Sequence, residues 1–225
     1  MGKQRLIKPF IWLIISAGAT VCLFSAFRLP VEQLDIRFLL LAFVTICISS
    51  RLSVKIPSFT SHISVSDTFI FLTLLLYDGE TAVLLAAAEA LLSTMRFSKK
   101  ASTILFNSAV LAISTFLSAW TLRLCVGNIL ALPHSGYSSG FIIAICLMAL
   151  VQYASNSGLA ALYSALKTGN PLWATWKKSY LWTSLTYFAG ASAAGIIAKL
   201  FGSVGLPALI VTAPILLIIF ITYQT

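Results

Sequence analysis

The stretch that decides the fold is residues 64–95, SVSDTFIFLTLLLYDGETAVLLAAAEALLSTM, which is apolar on both sides of one short polar break. The break is Asp78–Gly79. Each flanking run is shorter than the roughly 20 residues that a spanning helix needs. The two runs, residues 64–77 and 80–95, therefore predict either a tight helical hairpin or one long broken helix.

The composition of the whole chain is that of a membrane protein. Of its 225 residues, 59% are hydrophobic and only 9% are charged, and the mean hydropathy is +0.98. A soluble domain carries about a quarter of its residues as charges, so a cytosolic enzyme is excluded. The net charge of +9 is scattered between apolar runs. This pattern indicates contact with anionic lipid headgroups and no nucleic-acid partner.

The apolar runs predict an all-α, polytopic transmembrane bundle of about eight helices, with two short ones forming the hairpin. They are residues 9–27, 36–50, 64–77, 80–95, 103–126, 140–167, 179–201 and 206–223. If the N-terminus is cytoplasmic and sides alternate, eleven of the 15 basic residues fall inside and four outside. A single span at 64–95 would spoil that asymmetry, which favours the hairpin and cytoplasmic N and C termini.

The domain organisation predicted from this pattern is one integral membrane domain over residues 1–225. The chain stops directly out of an apolar run, so we interpret it as the N-terminal part of a longer protein. The basic N-terminus mimics a signal peptide, but no A-x-A cleavage site stands out, and the first segment is expected to remain as a helix.

An interfacial segment is predicted at residues 170–182, before the seventh apolar run. Asn170–Pro171 is a helix-starting pair, and tryptophan, tyrosine and lysine are the residues enriched where membrane meets water. We expect this segment to lie along the inner leaflet. Its membrane-interface residues are Trp173, Trp176, Lys177, Lys178, Tyr180 and Trp182.

Polar side chains within apolar runs are costly in a bilayer and are the first candidates for a ligand site. They are Asp67, Glu89, Asn107, Gln152 and Asn156. Glu89 lies among small residues and is either a proton- or cation-sensing carboxylate or a packed structural group. Asp67 also suits a helix N-terminus. The amides either join helices or line a cavity. If the five converge, they form a polar pocket nearer the inner half of the membrane.

Catalytic and metal-binding motifs are lacking in the sequence. There is no HExxH, GxSxG, P-loop or paired-carboxylate motif, and His62 and His134 fall on opposite predicted sides. The four cysteines show no CxxC spacing and are interpreted as small buried hydrophobes. We therefore expect no enzyme activity, no metal and no cofactor in this chain.

Four segments carry a resemblance to a known family. They are Ile63–Phe71, Asp78–Ala82, Leu105–Ala109 and Gly169–Trp176. Their order resembles the MASE-like multi-helix membrane sensor domains that precede bacterial HD-GYP or GGDEF domains. The resemblance implies a membrane-embedded input module whose cyclic-di-GMP output domain follows Thr225. Asp67, Asn107 and the elbow at 171–176 match best, and the family gives no defined ligand.

Two functions follow as hypotheses. The first is a sensory and anchoring input domain in the bacterial inner membrane, relaying a ligand or membrane signal through its last helix to a cytoplasmic effector in cis; a homodimer is one arrangement open to it. The alternative is a small-molecule transporter component, such as a substrate-binding membrane subunit. An effector beyond Thr225 favours the first, and an end there with a partner ATPase favours the second.

Overall fold

The computed structural model describes residues 6–48, 53–55, 62–64, 66–134 and 138–204, and these ranges contain eight α-helices. The helices are α1 (Ile7–Phe27), α2 (Ile36–Phe43), α3 (Ser66–Tyr77), α4 (Gly79–Phe97), α5 (Ala101–Val126), α6 (Ser139–Thr168), α7 (Leu172–Ser179) and α8 (Thr183–Val204). Seven of the predicted apolar runs correspond to α1–α6 and α8. The eighth run, 206–223, lies outside the described residues.

Four of these helices are long and apolar enough to cross a membrane: α1, α5, α6 and α8 as far as Gly202. The helical architecture and its membrane character therefore agree with the prediction from composition. The segment from Val44 to Ile48 continues α2 as a π-helix, so the predicted run at 36–50 is helical but irregular.

A short strand pair stands in the connection between α2 and α3, which the all-α prediction did not contain. Strand β1 (Ser53–Lys55) pairs antiparallel with β2 (His62–Ser64). Three-residue strands are too short to produce a readable alternation of polar and apolar residues, so the sequence gave no signal for them.

Helices α3 and α4 pack side by side as a hairpin. Ile70 of α3 lies in one buried cluster with Ala86 and Ala90 of α4, which a straight broken helix would hold far apart. At the turn, Asp78 adopts a φ of 80°, and its carboxylate accepts a 2.7 Å hydrogen bond from the Gly79 amide. The structure thus selects the hairpin from the two arrangements that the sequence left open.

The hairpin is the centre around which the other long helices pack. Helix α4 packs along α5, α5 packs against α1 and α6, and α3 packs against α8. Close approach depends on small residues: Ala191 and Ala194 of α8 are fully buried, and a Cβ on Gly190 would lie 3.0 Å from the Thr68 hydroxyl oxygen. The helices α3, α4, α6 and α8 therefore meet closely.

An ion cluster closes the turn end of the hairpin. We call Asp78, Glu80 and Arg123 the turn cluster. The Arg123 guanidinium is 2.9 Å from the Asp78 carboxylate and donates to both carboxylate oxygens of Glu80, one of them at 2.7 Å. Since Glu80 is buried, its charge is neutralised where water cannot do so.

Candidate functional site

The structure brings polar side chains from four helices together near the open end of the hairpin, opposite the turn. They are Asp67 of α3, Glu89 of α4, Asn156 of α6 and Tyr187 of α8, and we call them the buried polar cluster. The Asn156 amide donates to the Tyr187 hydroxyl. Tyr187 lies within electrostatic range of both carboxyl groups, and Asp67 within range of Glu89.

The hairpin itself explains why the two carboxyl groups meet. Asp67 stands 11 residues before Asp78, and Glu89 stands 11 residues after it. Equal numbers of residues give equal helical rises, so the turn places both side chains at one level. The Ser66 hydroxyl, next in sequence to Asp67, is hydrogen-bonded to Glu89. Local sequence symmetry about the turn thus builds the acidic half of the cluster.

Burial and charge distinguish these carboxyl groups from ordinary surface acids. Glu89 is 3% exposed and Tyr187 is 7% exposed, while Asp67 is partly buried. Within the described ranges, neither carboxyl group forms an ion pair, and the Asp67 carboxyl accepts no hydrogen bond. The nearest cation acting on Glu89 is Arg96, which is exposed and reaches the Ile46 carbonyl oxygen at 3.5 Å.

Two of the five sequence candidates lie outside this cluster. The Gln152 amide oxygen accepts from Ser118 at 3.0 Å, and its nitrogen donates to Thr115 at 3.1 Å, so Gln152 joins α6 to α5. Asn107 is exposed and donates to Thr94 at 3.2 Å, which joins α5 to α4. Gln152 and Asn156 are one helical turn apart, yet they contact different helices because three elements surround α6.

Tyr187 is the member of the cluster that the sequence reasoning missed. That reasoning considered carboxylates and amides in apolar runs, and a tyrosine there reads as an ordinary aromatic. The available signal was its position four residues into α8, beside the small residues 189–195 that bring α8 close to its neighbours. A buried phenol needs a hydrogen-bond partner, and Asn156 supplies it.

The predicted interfacial segment forms helix α7 and the turn after it. The rings of Trp173 and Trp176 stack with centroids 5.2 Å apart. Trp173 is 70% exposed and Trp182 is 63% exposed, whereas the Trp176 indole nitrogen donates to Ser157 of α6 at 2.9 Å. One face of the segment is therefore attached to the bundle, and the exposed residues form the other: Trp173, Lys177, Lys178 and Trp182.

Tyr153 of α6 connects this segment to the buried polar cluster. Its ring lies 5.8 Å from Trp176 and 5.9 Å from Tyr187, measured between centroids. Its hydroxyl donates to the carbonyl oxygen of Tyr180 at 3.3 Å, and burial raises the pKa of Tyr180 itself. A continuous set of aromatic contacts thus runs from α7 to the hydroxyl that Asn156 binds.

Comparison with known proteins adds no family to these observations. No family model matches the chain, and no curated protein and no solved structure matches it. In the part of the chain that the structure describes, no group of three or more His, Cys, Asp and Glu side chains is arranged to hold a metal ion.

Proposed function

We propose that this chain is a membrane-embedded sensory and anchoring input domain of a bacterial signalling protein. In this proposal, the buried polar cluster receives a ligand or membrane signal, and α7 and α8 relay it toward a cytoplasmic effector. The observation that carries it is the double contact of Tyr153, with Trp176 on the interfacial helix and with Tyr187 in the cluster.

The proposed orientation puts the open end of the hairpin on the cytoplasmic side of the inner membrane, with eight spans and both termini inside. Supporting it, basic residues stand at the open end, where α4 and α6 end and α5 begins: Lys99, Lys100 and Lys167. The acidic residues Asp78 and Glu80 stand at the turn end. The exposed lysines and tryptophans of the α7 segment then face anionic lipids of the inner leaflet.

The relay follows from the packing. A signal shifts a conformational equilibrium only if it interacts differently with the two states. A change of charge or hydration at the cluster alters the Asn156–Tyr187 bond, and Tyr187 is fixed to α8 while its ring contacts Tyr153. Movement of α8 and α7 relative to α6 is the expected output, read by an effector in cis or within a homodimer.

A transporter component is the second candidate, and the same cluster favours it. Short membrane helices that meet at a polar group between longer helices are also a way to build a substrate site. This alternative requires a soluble small-molecule ligand and a partner ATPase.

The first test is the intact mass of the native polypeptide. The 225 residues have a mass of 24.3 kDa. A larger mass that includes a cytoplasmic effector domain supports the input-domain proposal. A native mass of 24.3 kDa, together with co-purification of an ATPase, contradicts it and supports the transporter alternative.

The second test uses the native polypeptide in liposomes with anionic lipid, with effector output as the readout. Trp176→Phe removes the indole donor to Ser157 while keeping an aromatic ring. We expect altered output from this variant and unchanged output from Trp12→Phe, a matched change at an exposed tryptophan on α1. Equal output from both variants and the unmodified protein contradicts a relay through α7.

A further inference from the structure

We infer that Asp67 and Glu89 together hold one small monovalent cation, a proton or a sodium ion, inside the buried polar cluster. The inference rests on the proposed function in taking this cluster as the receiving site, and it names the chemical class of what the site receives.

The first argument is charge balance. An ionised carboxylate in a low-dielectric interior costs several kcal/mol unless it is paired, and a second carboxylate nearby raises that cost. Asp67 and Glu89 act on each other electrostatically, and no lysine or arginine pairs with either across the described ranges. Arg96 is exposed to solvent, which screens its effect on Glu89. One further positive charge balances half of the pair.

The second argument is independent of the acids and concerns Tyr187. This side chain is 93% buried by the same measure that leaves it 7% exposed. Its hydroxyl oxygen accepts from Asn156, but its own proton is donated to no acceptor in the part of the chain described. A buried donor left without an acceptor is costly. It is aimed into the region of the carboxyl groups, where a reorganised cation site would use it.

The chemistry of the ligands fits a small cation of either kind. The side chains present oxygen atoms from two carboxyl groups, a phenol, an amide and the Ser66 hydroxyl, and hard cations prefer oxygen ligands. A proton would instead be shared between the two carboxyl groups. The other titratable or charged side chains facing the pair are Arg96 from α4, Tyr153 from α6 and Tyr187 from α8.

The experiment uses the purified chain in phosphatidylcholine nanodiscs, without anionic lipid that would bind sodium itself. Calorimetric titration with sodium chloride, against choline chloride, tests the sodium arm. Infrared spectroscopy of the carbonyl stretch of protonated carboxylic acids, recorded across neutral pH, tests the proton arm. We expect either saturable sodium binding or a protonated-carboxyl band, and each identifies its own cation.

Conservative variants locate the signal. Asp67→Asn and Glu89→Gln should each abolish the protonated-carboxyl band or weaken sodium binding by about tenfold or more. Glu32→Gln, which removes an exposed carboxylate, should leave both signals unchanged. The unmodified protein is decisive even if a variant fails to fold. Absence of both saturable sodium binding and a protonated carboxyl in the unmodified protein overturns the inference.

Failure of this inference and failure of the proposed function give different results. If the cation binds but the native polypeptide shows no change in effector output with sodium or pH, the site stands and the signalling role falls. If output responds to Trp176→Phe while neither cation signal exists, the relay stands and the cation site falls.

Discussion

The two carboxylate-containing regions of this molecule differ in how their charges are balanced. In the turn cluster, Arg123 contacts both Asp78 and Glu80, so its charge offsets most of theirs. In the buried polar cluster, Asp67 and Glu89 face an amide and a phenol, with no cation paired to them among the described residues. Both regions belong to one hairpin, eleven residues from end to end along each helix.

The difference separates architecture from function. A paired charge in a low-dielectric site holds elements together, and removing its partner leaves an uncompensated charge. An unbalanced pair of carboxyl groups is poorly explained as a fastening, since a leucine or a glutamine would pack without that cost. The turn cluster therefore stabilises the hairpin, and the buried polar cluster is where a cation or ligand acts.

The largest expected effect comes from removing the cation of the turn cluster. Arg123→Leu leaves Asp78 and Glu80 unpaired, and we expect a loss of about 3 kcal/mol in the free energy of unfolding. The measurement is unfolding in mixed micelles titrated with sodium dodecyl sulfate. Arg28→Leu is the control, because Arg28 is exposed and contacts only the Phe24 ring among the contacts described. Equal losses in the two variants would show that the turn cluster is not specifically stabilising.

A smaller effect is expected from filling the close contact at the turn. A Cβ on Gly79 would lie 2.6 Å from the Ala119 Cβ, so Gly79→Ala should cost about 1–3 kcal/mol by overpacking. Gly190→Ala, near the buried polar cluster, should cost less, since its Cβ meets the rotatable Thr68 hydroxyl at 3.0 Å. Gly158→Ala meets nothing within 4 Å and should cost nothing. Any other order in unfolding free energy contradicts this packing.

The smallest effect is expected at Gln152, whose bonds join helices away from the cluster. Gln152→Leu removes the bonds to Ser118 and Thr115, and both hydroxyls keep bonds to carbonyl oxygens of their own helix. We expect a loss of about 0.6 kcal/mol, typical of one hydrogen bond between membrane helices, and unchanged sodium binding or proton uptake. A cation signal lost in Gln152→Leu would extend the cluster to α5.

The sequence predicted the helical architecture because long apolar runs leave a membrane chain few other choices. It also placed the hairpin turn, since Asp78–Gly79 is the only break between two runs that are individually short. The interfacial helix was predictable for a similar reason: tryptophan and lysine beside a proline leave a strong compositional signal. These features are local, and local sequence determines them.

Convergence of side chains was not predictable, because it depends on how helices rotate against one another. Asn107 and Asn156 look alike in the sequence, yet one faces Thr94 at an exposed position and the other meets Tyr187. Tyr187 itself carries no mark that separates it from the other tyrosines. The strand pair between α2 and α3 was missed because its backbone pairing has no side-chain pattern three residues long.

The central claim is that side chains from separate helices act as one cluster, and a double-mutant cycle on unfolding free energy tests it most directly. The variants are Glu89→Gln, Asn156→Leu and their combination, measured in the same mixed micelles. Residues in one network show coupling energies of about 0.5–3 kcal/mol, and the account predicts a value in that range. Effects of the two changes that simply add, within about 0.3 kcal/mol, would contradict it and leave Glu89 and Asn156 with separate structural roles.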